Sequence, residues 1–205
     1  MKQRLQQLLW QWWGDKGHPA EWDGNVYGGG KVSQRMWEYF WAIDQMDNHF
    51  DWRKCVDVGS GPTQFFPNLL RADERSVTSI DPAIKTQNDD HGMLLSEWVD
   101  KNQNRALLYD VVFAISVLEH VPENERTKFM ADLDKFTNSA IIITMELGPK
   151  NNTWPPVRVE EFKFFSEFKA HYPIKMESCP MWAENSNPTL WRPFGIVFYP
   201  LSWSH

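Results

Sequence analysis

The chain has 205 residues, of which 42% are hydrophobic and 23% are charged, and its net charge is -6. This composition is typical of a single globular domain with a sizeable core, and the acidic balance disfavours a broad nucleic-acid-binding surface. No apolar run reaches the roughly 18 residues that a membrane-spanning helix needs, and the first residues lack the apolar core of a signal peptide. The two cysteines, Cys55 and Cys179, are far apart and favour a reducing compartment. We therefore expect one cytoplasmic domain, 1–205, without a membrane partner.

The first 50 residues are rich in aromatic side chains. Their hydrophobic pattern predicts one helix over 1–13 and a second over 31–50. The apolar stripes of these helices comprise Leu5, Leu8, Leu9 and Trp12 in the first, and Met36, Trp37, Phe40, Trp41 and Ile43 in the second. We expect the helices to pack on a sheet as a cap. A compatible alternative is that Trp22, Tyr27 and the glycines at 28–30 form part of a lid over a ligand.

A strand, a glycine turn and a helix are predicted next. Residues 55–58 indicate a short buried strand and 64–72 a helix, with the turn at 59–61 between them. Such a turn at a helix N-terminus lets a nucleotide-like ligand reach the backbone, which a side chain at Gly59 or Gly61 would prevent. The next predicted strand, 76–80, is followed by Asp81, whose carboxylate can accept hydrogen bonds from both hydroxyls of a ribose. The alternative for Asp81 is a carboxylate that caps a strand end or a helix.

The remaining chain alternates strands with helices. Strands are predicted at 110–115 and 140–144, and helices at 122–136 and 158–171. Between Asp81 and the strand at 110–115, residues 93–95 fit a short strand and 97–101 a helical turn. Two final strands, 173–179 and 194–199, have no helix between them and predict an antiparallel pair at the sheet edge. The pattern as a whole predicts an α/β fold with a mostly parallel sheet.

Three segments together resemble the class I S-adenosylmethionine-dependent methyltransferases. They are 56–62 (VDVGSGP), 80–82 (IDP) and 109–122 (YDVVFAISVLEHVP). The end of the third segment, Leu-Glu-His-Val-Pro, is similar to small-molecule methyltransferases of the ubiquinone-biosynthesis type and to those found with glycan pathways. The resemblance implies a Rossmann-like, mostly parallel seven-stranded sheet with a C-terminal antiparallel strand pair. An N-terminal helical cap (1–50) would cover this core (51–205).

The resemblance also implies S-adenosyl-L-methionine as the cofactor, with no metal. The implied cofactor-binding residues are Asp57, Gly59, Ser60, Gly61, Asp81, Ile115 and Ser116. The turn residues would approach the methionine part with their backbone, Asp81 would bind the ribose, and the last two residues would flank the cofactor. Asp57 would order the turn, or it simply binds backbone amides. Thr63 replaces a third glycine of the family, and the acidic residue that binds adenine stays open among Asp89, Asp90 and Glu97.

Methyl transfer asks little of the protein, because a sulfonium methyl is already a reactive electrophile. A base matters only if the nucleophile must lose a proton, and His120 is the candidate, since its ordinary pKa of about 6.5 suits that step. The alternative is that His120 caps or packs in the first turn of the next helix. Glu119 is a second candidate, as a base or metal ligand, although a solvated surface position fits it better.

The acceptor pocket is expected between the cap and two loops that carry tryptophans. The tryptophans are Trp154, Trp182 and Trp191, and the faces of their rings suit sugar rings and aromatic rings alike. Arg35, Arg158 and Arg192 could meet a phosphate or carboxylate. We therefore expect methyl transfer to a small molecule, through a hydroxyl of a sugar or glycan precursor or of a phenol. The alternatives are a protein or RNA methyltransferase, and a non-catalytic protein that binds S-adenosylmethionine or NAD.

Overall fold

The computed structural model describes residues 2–15, 34–46, 52–102, 108–147, 171–178 and 192–200. Two helices come first, α1 (Lys2–Asp15) and α2 (Gln34–Met46). The following elements are β1 (Lys54–Val58), α3 (Phe65–Ala72), β2 (Ser76–Ile80), β3 (Asp90–His91), α4 (Leu95–Asn102) and β4 (Tyr109–Ile115). The chain continues through α5 (Arg126–Asp134), β5 (Thr137–Leu147), β6 (His171–Ser178) and β7 (Arg192–Pro200).

The strands form one seven-stranded sheet in the order β3-β2-β1-β4-β5-β7-β6. Neighbours from β3 to β5 are parallel, whereas β7 is antiparallel to both β5 and β6. The predicted mostly parallel sheet with an antiparallel pair at its end is therefore confirmed. Parallel strands point their carboxyl ends to the same edge, so the segments after β1, β2 and β4 meet there.

Helices cover both faces of the sheet, so side chains on both faces of its central strands β1 and β4 are buried. Val111 and Phe113 of β4 pack in one core cluster with residues of α1, α2 and α3. Val112 and Ala114, which alternate with them, pack in the other cluster with residues of α4 and α5. The period of two along β4 thus divides the core into two layers. Burial also raises the pKa of the Cys55 thiol in β1 to about 12, which makes this residue an unreactive part of the core.

The N-terminal helices form the predicted cap on the sheet. Leu5 and Leu9 are buried, as are Trp37, Phe40, Trp41 and Ile43. The Trp37 and Trp41 rings stack with their centroids 5.9 Å apart. The Trp41 ring lies directly over Gly195 of β7, where a Cβ atom would come within 2.4 Å of the ring. The cap therefore packs against β7, which is the last strand along the chain and lies next to the edge strand β6.

Gly195→Ala is expected to lower the free energy of unfolding by roughly 1–3 kcal/mol, because the added methyl group overpacks the Trp41 ring. Urea denaturation would measure this change. The matched background is Trp41→Leu, in which the same glycine substitution should cost much less because the ring is gone. Equal costs of Gly195→Ala in the two backgrounds would contradict the assigned contact.

Some predicted elements differ from those observed. Residues 93–95 are not a strand; the short strand is β3, two residues long and paired with Ser79 and Ile80 of β2. The helical turn at 97–101 is part of α4, and the helix predicted at 122–136 is a 3-10 turn (Glu123–Glu125) followed by α5. His171 begins β6 rather than ending a helix, and 158–170 lie outside the described residues.

The proposed lid and the predicted acceptor loops also lie outside the described residues. This applies to Trp22, Tyr27, the glycines at 28–30, Trp154, Trp182, Trp191 and Arg158, and to the side chains of Arg35 and Arg192. Within the described ranges, no helix combines the length and apolar character needed to cross a membrane.

Candidate functional site

The turn after β1 holds two glycines with left-handed backbone, at φ +74° for Gly59 and +69° for Gly61. A Cβ atom on Gly59 would lie 2.3 Å from Cγ2 of Val117, whereas one on Gly61 would have no atom within 4 Å. The Gly59 amide also donates to the Ile80 carbonyl at 2.7 Å. The missing side chain of Gly59 thus makes room for Val117, a requirement that the sequence interpretation did not include. The missing side chain of Gly61 leaves open space beside the backbone.

Asp81 connects this turn to the end of β2. Its Oδ2 atom accepts a hydrogen bond from the Gly61 amide at 2.8 Å, and its Oδ1 atom accepts one from the Ala83 amide at 2.7 Å. The carboxylate thus fixes two backbone segments at once. Each carboxylate oxygen has two lone pairs, so both oxygens keep capacity to accept from a ligand hydroxyl.

Two cavities meet at the carboxyl edge of the sheet. A polar one of about 320 Å³ lies against the glycine turn, and a more apolar one of about 380 Å³ extends towards α4 and α5. Four residues line both cavities, namely Gly59, Asp81, Ser116 and His120. They follow β1, β2 and β4, so the sheet topology itself places them together.

The polar cavity gathers nearly all of the site residues named from the sequence. It is lined by Asp57, Gly59, Ser60, Gly61, Asp81, Ile115, Ser116 and His120. His120 is exposed and ends a 3-10 helix, Leu118–His120, so it lies in the turn after β4 and ahead of α5. Glu119 lines neither cavity and is only 4% exposed, so the expectation that it is a solvated residue is wrong.

None of the three acidic residues considered for adenine lines either cavity. Asp90 is buried in β3 and pairs with Nη2 of Arg71 at 2.5 Å. Oε2 of Glu97 accepts the Leu94 amide at 2.9 Å and so caps the start of α4, while Asp89 is exposed. Both interactions stabilise the segment between β3 and α4. That segment presents Met93, Leu94, Leu95 and Ser96 to the larger cavity instead of a carboxylate.

Two titratable groups in and near the larger cavity have shifted pKa values. Lys128 lines the cavity, and a hydrogen bond from Lys128 to Asp132 raises the pKa of the lysine. His91 ends β3 and lines neither cavity; burial lowers the pKa of its imidazole although Asp89 and Asp90 oppose that change. The apolar side chains of Met93, Leu94 and Leu95 in the wall of the larger cavity favour an uncharged ring as its occupant.

Helix α2 supplies two site residues that sequence reasoning missed. Tyr39 lines the polar cavity, and its ring stacks on Phe66 with centroids 5.1 Å apart. The fully buried carboxylate of Glu38 accepts a hydrogen bond from the Ser116 hydroxyl at 2.5 Å. The sequence did contain a signal for Glu38. Positions 38, 41 and 45 share one helix face, and two of them carry polar side chains among buried aromatic residues.

Comparison with protein-family models and with curated proteins gives no match. Solved structures do share the fold. An S-adenosylmethionine-dependent methyltransferase from Archaeoglobus fulgidus is 13% identical with a TM-score of 0.59, covering 84% of this chain and 96% of that one. The 1,6-didemethyltoxoflavin-N1-methyltransferase of Burkholderia thailandensis is 9% identical with a TM-score of 0.58, covering 98% and 90%.

The magnesium protoporphyrin IX methyltransferase of Synechocystis, solved with bound S-adenosylmethionine, is 14% identical with a TM-score of 0.51. The match covers 86% of this chain and 88% of that one. At these identities the likeness concerns the arrangement of helices and strands. The chain therefore has the Rossmann-like fold of the class I S-adenosylmethionine-dependent methyltransferases.

Proposed function

We propose that the protein is an enzyme that transfers a methyl group from S-adenosylmethionine to a small-molecule acceptor. The observation that carries this proposal is the pair of cavities joined at Gly59, Asp81, Ser116 and His120. A polar chamber and a more apolar chamber that meet at the Asp81 carboxylate fit a ligand with an amino-acid part, a ribose and a base. The cofactor has those three parts in that order.

The residues present fit this cofactor. Gly61 has open space beside its backbone, and the buried Ser60 hydroxyl has no hydrogen-bond partner among the described residues, so both can serve a ligand. Asp81 would accept from the ribose hydroxyls, and the turn 59–61 would contact the amino-acid part. Met93 and Leu95 would pack on the base in the larger cavity. When bound, the cofactor supplies an electrophilic methyl group on a sulfonium.

The protein then has to orient an acceptor and remove its proton. His120 lines both cavities and is exposed, so it can reach an acceptor hydroxyl next to the cofactor site. Its imidazole would take the hydroxyl proton as the new carbon–oxygen bond forms, which makes it the candidate general base. Tyr39 and Phe66 form an aromatic wall of the polar cavity and would exclude water from the reacting atoms.

For the acceptor we propose a hydroxyl on a phenolic ring or a sugar. The stacked Tyr39–Phe66 pair offers an apolar face that suits either ring. Two of the named structural neighbours have small-molecule acceptors in their names, a magnesium protoporphyrin and a didemethyltoxoflavin. The Leu118–His120 turn and the two residues after it also carry the motif similar to small-molecule methyltransferases.

Calorimetric titration with S-adenosylmethionine, S-adenosylhomocysteine and NAD tests the cofactor. We expect dissociation constants in the micromolar range for the first two and no binding of NAD. Transfer of a labelled methyl group to a panel of phenols and sugars then tests the acceptor class. Binding of NAD alone, or of none of the three ligands, would contradict the proposed function.

A further inference from the structure

The contact between Glu38 and Ser116 joins the N-terminal cap to the turn after β4. Glu38 is 0% exposed and Ser116 is 6% exposed, and their oxygen atoms are 2.5 Å apart. A carboxylate is costly to bury, so the placement of Glu38 against the Ser116 hydroxyl, 78 positions along the chain, needs a reason beyond packing.

Ser116 has an unusual backbone for a residue with a side chain. Its φ is +51°, in the left-handed region that favours glycine. The Ser116 amide donates to the carbonyl oxygen of Thr144 at 3.0 Å and to its Oγ1 atom at 3.1 Å. Glu38 holds the side chain while Thr144 holds the backbone, and together they keep Ser116 in this conformation.

The hydrogen bond to Glu38 also determines what Ser116 offers to a ligand. A serine hydroxyl has one proton, and here that proton is donated to the carboxylate. The Ser116 oxygen can therefore only accept a further hydrogen bond. A ligand group that meets this oxygen must be a donor, and a cation is favoured because Asp57 and Asp81 line the same cavity.

We propose that Glu38 is a positioning residue for the amino-acid part of the cofactor, acting through Ser116. The inference rests on the proposed function, which places that part in the polar cavity. Glu38 accepts the hydrogen bond from the Ser116 hydroxyl, so the Ser116 oxygen is left as an acceptor for the ammonium group of the bound cofactor. The cap helix α2 is then a component of the cofactor site as well as a cover for the sheet.

Calorimetry with two ligands tests this role. S-Adenosylhomocysteine carries the amino acid, whereas 5′-deoxy-5′-methylthioadenosine keeps the nucleoside and thioether but lacks it. We expect Glu38→Ala and Ser116→Ala each to weaken the binding of S-adenosylhomocysteine about tenfold and to leave the affinity for methylthioadenosine unchanged. Because Glu38 acts through Ser116, the double variant should be no weaker than Ser116→Ala alone.

Two further variants separate this role from general packing. Glu38→Gln keeps an oxygen that can accept the Ser116 proton and should stay within about threefold of the original affinity. Gln45→Ala removes another buried polar side chain from the same helix and should not change the ratio of the two affinities. Thermal unfolding of each unliganded variant reports any loss of folding.

Three results would overturn the inference: original affinity in Glu38→Ala, an equal loss for both ligands, or a double variant weaker than Ser116→Ala. If Glu38→Ala does not fold, Ser116→Ala and Glu38→Gln decide between the same outcomes. Failure of the unaltered protein to bind S-adenosylhomocysteine would instead contradict the proposed function. The two failures are thus distinguishable.

Discussion

Asp81→Ala is expected to weaken binding of S-adenosylhomocysteine at least about 100-fold, because it would remove the proposed hydrogen bonds of this carboxylate to both ribose hydroxyls together. The substitution also releases the Gly61 and Ala83 amides that the carboxylate now holds. Asp81→Asn should be nearly as harmful, since both carboxylate oxygens accept from backbone N–H groups and the new amide nitrogen would face one of them. Calorimetry on the folded variants would measure both effects.

Asp89→Ala is the matched control for this prediction. Asp89 lies between β2 and β3, is exposed, and lines neither cavity. Its removal changes the net charge by the same amount as Asp81→Ala but should leave the affinity unchanged. An Asp81→Ala variant that binds S-adenosylhomocysteine within threefold of the original protein, or an equal loss in Asp89→Ala, would show that Asp81 does not bind the ribose.

Gly59→Ala is expected to lower the free energy of unfolding by roughly 2–5 kcal/mol, since it combines a left-handed backbone with overpacking. The new methyl group would lie 2.3 Å from Cγ2 and 3.0 Å from Cγ1 of Val117. Urea denaturation would measure the loss. Val117→Ala in the same chain should restore part of it, because the clash is relieved while the backbone strain remains.

Gly61→Ala separates strain from overpacking. Its φ is +69°, close to that of Gly59, but its methyl group would enter open space. We expect a loss of only about 1–2 kcal/mol in stability, with weaker cofactor binding as the main effect. Equal destabilisation by the two alanine substitutions would contradict the assigned role of Val117.

The parallel core of the fold was predictable from local sequence patterns. The strands β4 and β5 contain apolar runs, at 111–115 and 140–143, and β1 and β2 are short segments rich in β-branched residues. The glycine turn follows β1 and Asp81 follows β2, so the sequence alone places them at one edge of the sheet. The same patterns predicted the antiparallel pair, because the sequence between its strands has no helical pattern. These signals lie within a few neighbouring residues of each other.

What the sequence did not reveal depends on contacts between distant segments. The strand β3 has only two residues, which is too short for a recognisable pattern, and it is held by contacts with β2 and by the ion pair between Asp90 and Arg71 of α3. The requirement for glycine at position 59 depends on Val117, which comes from another turn. The role of Glu38 depends on Ser116 in the same way. Spacing along the chain carries no information about such pairs.

The packing of the cap on β7, the last strand along the chain, has a consequence during protein synthesis. The ring of Trp41 closes on Gly195, about 150 residues later, and at 5–20 residues per second roughly 10–30 seconds separate their emergence from the ribosome. Throughout that interval the aromatic face of α2 lacks its final partner. We expect the nascent chain to be held by chaperones that bind exposed apolar surface, and its folding to finish only after translation has passed β7.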